Sequence, residues 1–502
     1  VVASPSGLSN EAQELLRQRL AGLGRRTEPV PKRAGGDGVQ PLSPDQRRLW
    51  FLDRLRPNRA EYNVAGAWRV RGPLRPDELE AALADVVRKQ DALRSTVTVH
   101  DGEPLLRVSP PPASILIRYD VSAAEDPQAE VRRLAAETSS RPLDLEHGPL
   151  HRFWLARLGH EDHVFGLTVH HLVFDRDSLG LLLHQLVDAY ERAGETPSRA
   201  PSAQVPGATA TYGDYARLSW DRAQASPERL HDYWATQCDG VSAFLDLPTD
   251  HLRPPAGLSG RAGAVLTHVD SDVTAHVRAL ADECSTTPFA VCLAAFTAVL
   301  YRYTTATSFA VGCPFNGRQQ VEFEQLIGFF TRSLPIVTRR DSATDPTYRM
   351  LVQESREAVL GAHEHQDVAL EDILAAVNPT RDLSFNPLFQ VWFDYAVGDV
   401  TEVAWPWEVA PFPCGETRTR FDLELHLTET SGGIEARLIY STDLFEAETA
   451  DGLLASYRRL LAAAVKEPDT RLSRLPLLGA DEIETIVHSW SASSPQEDHP
   501  RA

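Results

Sequence analysis

The chain has 502 residues and a formal net charge of -20, with 50 Lys plus Arg set against 70 Asp plus Glu. That length exceeds what one hydrophobic core usually organises, so two domains or one domain of two lobes is predicted, while 42% apolar and 24% charged residues exclude wholesale disorder. The acidic excess excludes general nucleic-acid binding, because neutralising phosphates needs a basic field that this chain lacks overall.

The five cysteines, Cys238, Cys284, Cys292, Cys313 and Cys414, never fall in C-x-x-C spacing. They exclude a disulfide scaffold or zinc ribbon and suit a reducing cytoplasm. No apolar run reaches spanning length and the N-terminus lacks a signal-peptide h-region, so neither membrane insertion nor export is expected.

In chain order, residues 1–40 read as a short helix, Ser9 to Leu20, followed by a Gly/Pro-broken linker, with compact structure expected from Pro41. Leu79, Leu83, Val86, Val87 and Leu93 follow Pro76 at helical spacing and predict an amphipathic helix over 76–93. Val164 to Val169 is rich in β-formers and predicts a strand after the turn Gly159-His160-Glu161-Asp162. Leu179, Leu182, Leu183, Leu186, Val187 and Tyr190 then step along one helical face, with Asp177 or Ser178 as the expected N-cap. Gly194 to Ala208 is the best interior linker, and beyond it helices are predicted from Thr287 to Tyr303 and near 345–362. Both halves mix helices and strands, so an α/β or α+β protein of two comparable lobes is expected.

Chemistry concentrates in Val169-His170-His171-Leu172-Val173-Phe174-Asp175-Arg176-Asp177. Two histidines close a strand, and a carboxylate follows where the turn enters a helix, a place where backbone donors and the helix dipole converge. Strand parity points the two imidazoles to opposite sides, so one can be buried while the other faces a cleft. Spacing alone leaves three readings open: a catalytic imidazole with its support, two satisfied structural histidines, or a metal site. The last lacks the i, i+4 histidine pair of a helical zinc site.

The remainder of the chain resembles the condensation domains of nonribosomal peptide synthetases, relatives of chloramphenicol acetyltransferase. The signature H-H-x-x-x-D-G matches His170, His171 and Asp175 and departs at Arg176. Pro41-Leu42-Ser43-Pro44-Asp45-Gln46-Arg47-Arg48-Leu49-Trp50 resembles the opening S-x-x-Q-x-R-L-W block, and Lys89-Gln90-Asp91-Ala92-Leu93-Arg94 resembles R-H-E-x-L-R. Tyr212-Gly213-Asp214-Tyr215-Ala216, Leu247-Pro248-Thr249-Asp250, Ile327-Gly328-Phe329-Phe330, His365-Gln366-Asp367-Val368 and Arg381-Asp382-Leu383-Ser384-Phe385-Asn386-Pro387-Leu388 follow in the family's order. Where the family usually has V-N-T, this chain has Thr331-Arg332-Ser333.

The resemblance implies a two-lobed α/β (α+β) fold, a pseudo-dimer of acetyltransferase-like lobes forming a V with a central tunnel. It divides the chain into the linker at 1–40, an N-terminal lobe at 41–208, a C-terminal lobe at 209–490 and a tail at 491–502. The implied activity is amide-bond formation between an upstream carrier-bound acyl thioester and the amine of a downstream carrier-bound aminoacyl group. Both substrates ride on 4'-phosphopantetheine, the domain needs no cofactor or metal of its own, and it works in the cytoplasm as a monomer when excised. The implied partners are the donor and acceptor peptidyl carrier proteins and an adjacent adenylation domain.

By resemblance His171 is the active-site histidine, while His170 and Asp175 hold the turn. A buried arginine should pair with Asp175, for which Arg94 is the first candidate and Arg381 the second, and Asn386 supports the site. Arg176 and Ser333 are expected in the tunnel, and Arg332 either there or facing outward from a strand. A glycine at position 176 would signal a positive φ or close approach by another chain, so its arginine points to a gate, a carboxylate partner or lost activity. Two other functions remain open: an inactive relative that recruits another enzyme, and a free-standing acyltransferase using coenzyme A.

Overall fold

The computed structural model describes residues 38–55, 60–194, 210–341, 343–377, 382, 384–398, 403–413, 418–485 and 487. The expected N-terminal helix, most of the two linkers, Arg381 and the tail lie outside the described residues.

The first half runs β1 (Val39–Pro41), α1 (Pro44–Leu55), β2 (Asn63–Arg71), α2 (Pro76–Lys89), β3 (Ser95–His100), β4 (Glu103–Val108), β5 (Leu116–Asp120), α3 (Pro127–Ser140), β6 (His151–Gly159), β7 (Asp162–His170), α4 (Arg176–Gly194) and α5 (Tyr212–Ala225). The second runs α6 (Pro227–Cys238), β8 (Ala262–Asp270), α7 (Ser271–Glu283), α8 (Pro288–Tyr303), β9 (Ser308–Asn316), β10 (Thr331–Arg339), α9 (Tyr348–Glu364), α10 (Leu370–Val377), β11 (Val391–Val397), β12 (Glu408–Pro411), β13 (Leu423–Thr430), β14 (Gly433–Ser441) and α11 (Ala447–Ala464).

Three sheets result: a small one ordered β1-β4-β3, a five-stranded one ordered β12-β2-β7-β6-β5, and a six-stranded one ordered β10-β9-β11-β13-β14-β8. The five-stranded sheet is covered on both faces, with α3 packed on the side opposite the larger core, and the six-stranded sheet builds a separate core of its own. Compact structure begins slightly before Pro41, since Val39 already pairs with Arg107.

The predicted helix over 76–93 is divided at Gln90, which adopts extended backbone before a 3₁₀ turn at Asp91–Arg94. The break has a use. The Gln90 side chain donates to Gln325 O at 3.0 Å and accepts from Ile327 N at 3.0 Å, pinning a loop from the second half onto the first.

The expected boundary at 208/209 does not coincide with the two cores. Helix α5 contributes Tyr212, Tyr215 and Leu218 to the first core, as does the loop carrying Phe323, Ile327 and Phe330. Strand β12 also crosses back, pairing antiparallel with β2 so that Glu408 faces Arg71 and Pro411 faces Trp68. Trp405 and Trp407 pack against the same core beside it. The first core is therefore completed by α5 and by two segments of second-half chain, the loop at 323–330 and β12, so the cores do not divide at a linker.

Among the described residues no single helix is long and apolar enough to cross a membrane. Close approach inside the first sheet is tightest at Gly166, in the middle of β7, where a Cβ would meet the Trp154 ring at 2.1 Å. Gly166→Ala is therefore expected to destabilise the first lobe by about 1–3 kcal/mol through overpacking, visible as a lower urea midpoint with an unchanged m-value.

Candidate functional site

The site forms where β7 ends. His170 is its last residue, opposite Asn63 of β2, and the chain then makes one 3₁₀ turn at His171–Val173 before α4 begins at Arg176. The helix start is capped by Asp175, whose Oδ1 accepts from Ser178 N at 2.9 Å, so neither Asp177 nor Ser178 is the cap.

Asp175 is more than a cap. Arg318 grips it bidentately, Nη1 to Oδ2 at 2.8 Å and Nη2 to Oδ1 at 2.9 Å, while Phe330 N donates to Oδ2 at 3.0 Å. Both side chains are all but sealed from water, at 5% and 1% exposure. Burial pushes the Asp175 carboxyl up, but Arg318 and the surrounding donors outweigh it and hold the group below the usual carboxylate range. Arg318 also donates to Ser178 Oγ at 2.9 Å and lies 4.1 Å over the Phe330 ring.

Arg94, the expected partner of Asp175, is engaged elsewhere: it donates to Val87 O, Ser109 O and Asp91 Oδ1 beside its own 3₁₀ turn. The sequence pattern does not single out Arg318. Its only local sign is Asn316-Gly317-Arg318 directly after an apolar strand, where a Cβ on Gly317 would meet Tyr215 Oη at 2.4 Å and Phe330 O at 2.6 Å.

The two imidazoles differ in burial. His170 is buried, its Nδ1 accepts from Leu172 N at 3.0 Å, and its Nε2 has no hydrogen-bond partner. Burial and the neighbouring His171 depress its pKa to about 3. His171 is half-buried, and its Nδ1 donates to Phe174 O at 2.6 Å, which leaves the lone pair on Nε2. Burial, then the Arg420 charge, push its pKa down to about 4. Around neutrality His171 is thus an uncharged imidazole with a fixed tautomer, presenting an acceptor nitrogen.

The family-like sequence blocks converge on this turn. Gln46 donates to Leu172 O at 2.7 Å, Tyr62 O accepts from His171 N at 2.7 Å, and Tyr212 Oη donates to Phe329 O at 2.5 Å. The Phe329 ring stands edge-on to His171 with centroids 4.8 Å apart.

A cavity of about 580 Å3 lies between the lobes, bounded among others by Tyr62, Ser333, Asn386, Trp392, Arg420 and Phe421. Ser333 thus lines the inter-lobe cavity. Asn386 donates to Arg420 O, holding the loop whose guanidinium lies 5.3 Å over the Tyr62 ring. Arg332, expected in the tunnel, is not there: one residue away on β10 it faces the other side of the sheet. It is buried and donates to Gln366 O and Asp367 Oδ1, each at 2.7 Å. Arg48 and Glu371, both lining the cavity, pair across it at 3.1 Å.

Beyond the cavity the six-stranded sheet carries a line of charge. Thr419 Oγ1 donates to Glu424 at 2.5 Å, Glu424 meets His426 Nε2 at 3.0 Å, and Asp394 lies 3.6 Å from His426 Nδ1. Burial alone would lower the His426 pKa, but the two carboxylates raise it to about 9, so this imidazole is charged. Arg176 ends the line, its Nη1 donating to Asp394 Oδ2 at 3.2 Å.

A two-lobed fold with a buried, arginine-clamped H-H-x-x-x-D turn beside an inter-lobe cavity defines the class, and the condensation-domain family profile matches residues 37–487. The chain belongs to that family. It is 35% identical over 459 residues to one of the linear gramicidin synthase polypeptides of Brevibacillus parabrevis, covering 90% of this chain and 9% of that protein. It is 33% identical over 508 residues to phosphinothricin tripeptide synthetase PhsC of Streptomyces viridochromogenes, covering 99% of this chain and 45% of that one. The chain therefore spans only part of these relatives.

Among solved structures, the X-domain from teicoplanin biosynthesis matches with a TM-score of 0.78 at 27% identity, over 90% of this chain and 100% of that one. The first condensation domain of the calcium-dependent antibiotic synthetase, in complex with a substrate analogue, matches with a TM-score of 0.70 at 22% identity, over 88% and 100%. The mixed α/β fold of two lobes is that of these structures.

The two arginines make contrasting predictions. Arg318→Ala strands a buried carboxylate and is expected to cost about 3–5 kcal/mol, whereas Arg94→Ala, which frees only local hydrogen bonds, should cost clearly less. Urea denaturation of both variants measures this, and equal losses would contradict the assignment of Asp175 to Arg318.

Proposed function

We propose that the domain forms an amide bond between an acyl group on an upstream carrier protein and the amine of an aminoacyl group on a downstream carrier, each held on a phosphopantetheine thioester. His171 is the catalytic residue; His170, Asp175 and Arg318 are positioning residues. The observation that carries this reading is the His171 imidazole itself, neutral and locked by its bond to Phe174 O with Nε2 left as acceptor.

In the reaction the amine nitrogen attacks the thioester carbonyl, the C–N bond forms, the C–S bond breaks, and the proton shed by nitrogen ends on the departing thiol. An α-ammonium group titrates near pH ~8. With His171 at about 4, taking a proton from the free ammonium would be uphill by roughly 5 kcal/mol. His171 therefore acts first as the hydrogen-bond acceptor that orients the neutral amine, and accepts a proton only after attack has acidified the nitrogen. The backbone N–H at position 176, in the first turn of α4, is the donor assigned to the developing oxyanion. The donor and acceptor carriers and a neighbouring adenylation domain are the partners, and the inter-lobe cavity is one end of the tunnel that receives them.

A second reading has one observation in its favour. The X-domain from teicoplanin biosynthesis, 28% identical here, has been solved as a complex with OxyB, and a role in recruiting a partner enzyme would suit a chain whose glycine is replaced by Arg176.

Two measurements test the primary reading with defined loaded carriers and mass detection of the product. His171→Ala should lower product formation by about 10²–10⁴-fold; wild type giving no product with any carrier pair, while binding a partner enzyme, would favour recruitment. The pH profile of kcat/KM should rise with deprotonation of the acceptor amine and show no inflection near the ordinary imidazole value of 6.5, because His171 is already neutral above about 4. An inflection at 6.5 would contradict the depressed imidazole.

A further inference from the structure

Arg176 fills the position where the family signature has glycine, and the turn does not need glycine's freedom: among the described residues, the non-glycine residues with positive φ are Asp101, Ser285 and Leu388. What the arginine changes lies across the lobes. From the first position of α4 it reaches the second-lobe sheet, with Nη1 3.2 Å from Asp394 Oδ2 on β11 and Nη2 3.4 Å from Thr428 Oγ1 on β13.

Asp394 shares its face of β11 with Trp392, and the parallel register sets Trp392 beside Glu424 and Asp394 beside His426. Trp392 and Thr419 line the inter-lobe cavity, but Asp394 and Arg176 lie outside its lining. The ion pair thus bridges the lobes past the end of the open space, one residue from the clamped Asp175.

The pair is also built to part. Asp394 keeps a second cation, His426, when Arg176 leaves, so no buried carboxylate is stranded. Arg176 is 34% exposed and returns to water at little desolvation cost. Separating the two therefore costs no more than opening a partly solvated ion pair.

Resting on the condensation reading, we propose that Arg176 and Asp394 form a lobe-bridging gate that closes the passage beside His171 and yields to an incoming phosphopantetheinyl thioester arm. The arm is long, flexible and rich in amide carbonyls, so it can take over the guanidinium donors as it displaces Asp394. Donor and acceptor arms share this chemistry, and the experiment separates them.

Carriers bearing non-reactive amide-linked acyl or aminoacyl arms, and the same carriers lacking phosphopantetheine, are titrated calorimetrically against wild type, Arg176→Gly, Arg176→Lys and Asp394→Asn. Arg176→Gly and Asp394→Asn should tighten binding of one loaded carrier about fivefold, the value of one partly exposed ion pair. Arg176→Lys should stay near wild type and carriers without an arm should not change. The arm that responds identifies the gated side. Unchanged affinity for both loaded carriers in a folded Arg176→Gly protein overturns the gate. So does an equal shift for carriers lacking the arm, which would place the effect at the docking surface, or a lysine variant that binds like the glycine variant. Because the readout needs no turnover, absence of product from wild type would remove the condensation reading without touching this result.

Discussion

The site rests on one buried ion pair. Asp175 and Arg318 are separated by 143 residues in sequence, and their contact joins the start of α4 to the chain leaving β9. Through Leu326 O and Phe330 N the same pair fixes the loop that carries Phe329 against His171. Replacing a buried ion pair by apolar side chains is often neutral or stabilising, so net stability does not explain it. Its directional demand does: a bidentate guanidinium, a backbone N–H and the Ser178 donors accept only one placement of the carboxylate, and hence one shape of the histidine turn.

Around that clamp, environment alone sets histidine to opposite tasks. His171 and His426 have the same side chain, yet burial without a strong counter-charge takes the first to about 4, and two flanking carboxylates take the second to about 9. The neutral imidazole presents a lone pair; the charged one keeps Asp394 and Glu424 ionised in a partly dry interior. The -20 net charge therefore says little about the site, where cations and anions alternate along one sheet face. For the carrier partners proposed above, if acidic, it implies docking through local patches against an unfavourable overall field.

The legible part of the molecule is what local pattern encodes. Helical spacing locates α2, α4, α8 and α9, and the run of β-formers after a charged turn locates β7, because each signal needs only neighbours within a few residues. The position of His171 at a strand end is legible for the same reason. The partner of Asp175 is not, since an arginine in a polar turn looks the same whether it is solvated or clamped to a distant carboxylate. Strand β12 is equally hidden: four residues with an antiparallel partner far upstream carry no periodicity of their own. Arg332 is misplaced by the sequence for a simpler reason. Strand parity sets it opposite Ser333, so only one of the two could face the cavity.

On the proposed gate, the turn and the passage beside it are separately controlled. The turn is held by Asp175, Arg318 and Ser178, none of which needs the 176 side chain to fix the histidines. A glycine there would leave the same clamp and remove only the bridge to Asp394. The histidine geometry and the width of the passage can therefore vary independently, one through a buried pair locked by bidentate and backbone bonds, the other through a half-solvated pair whose carboxylate has a second cation waiting. On the proposed gate, a chain can retain the full H-H-x-x-x-D geometry while altering which arms reach it, and the departure at position 176 then bears on access.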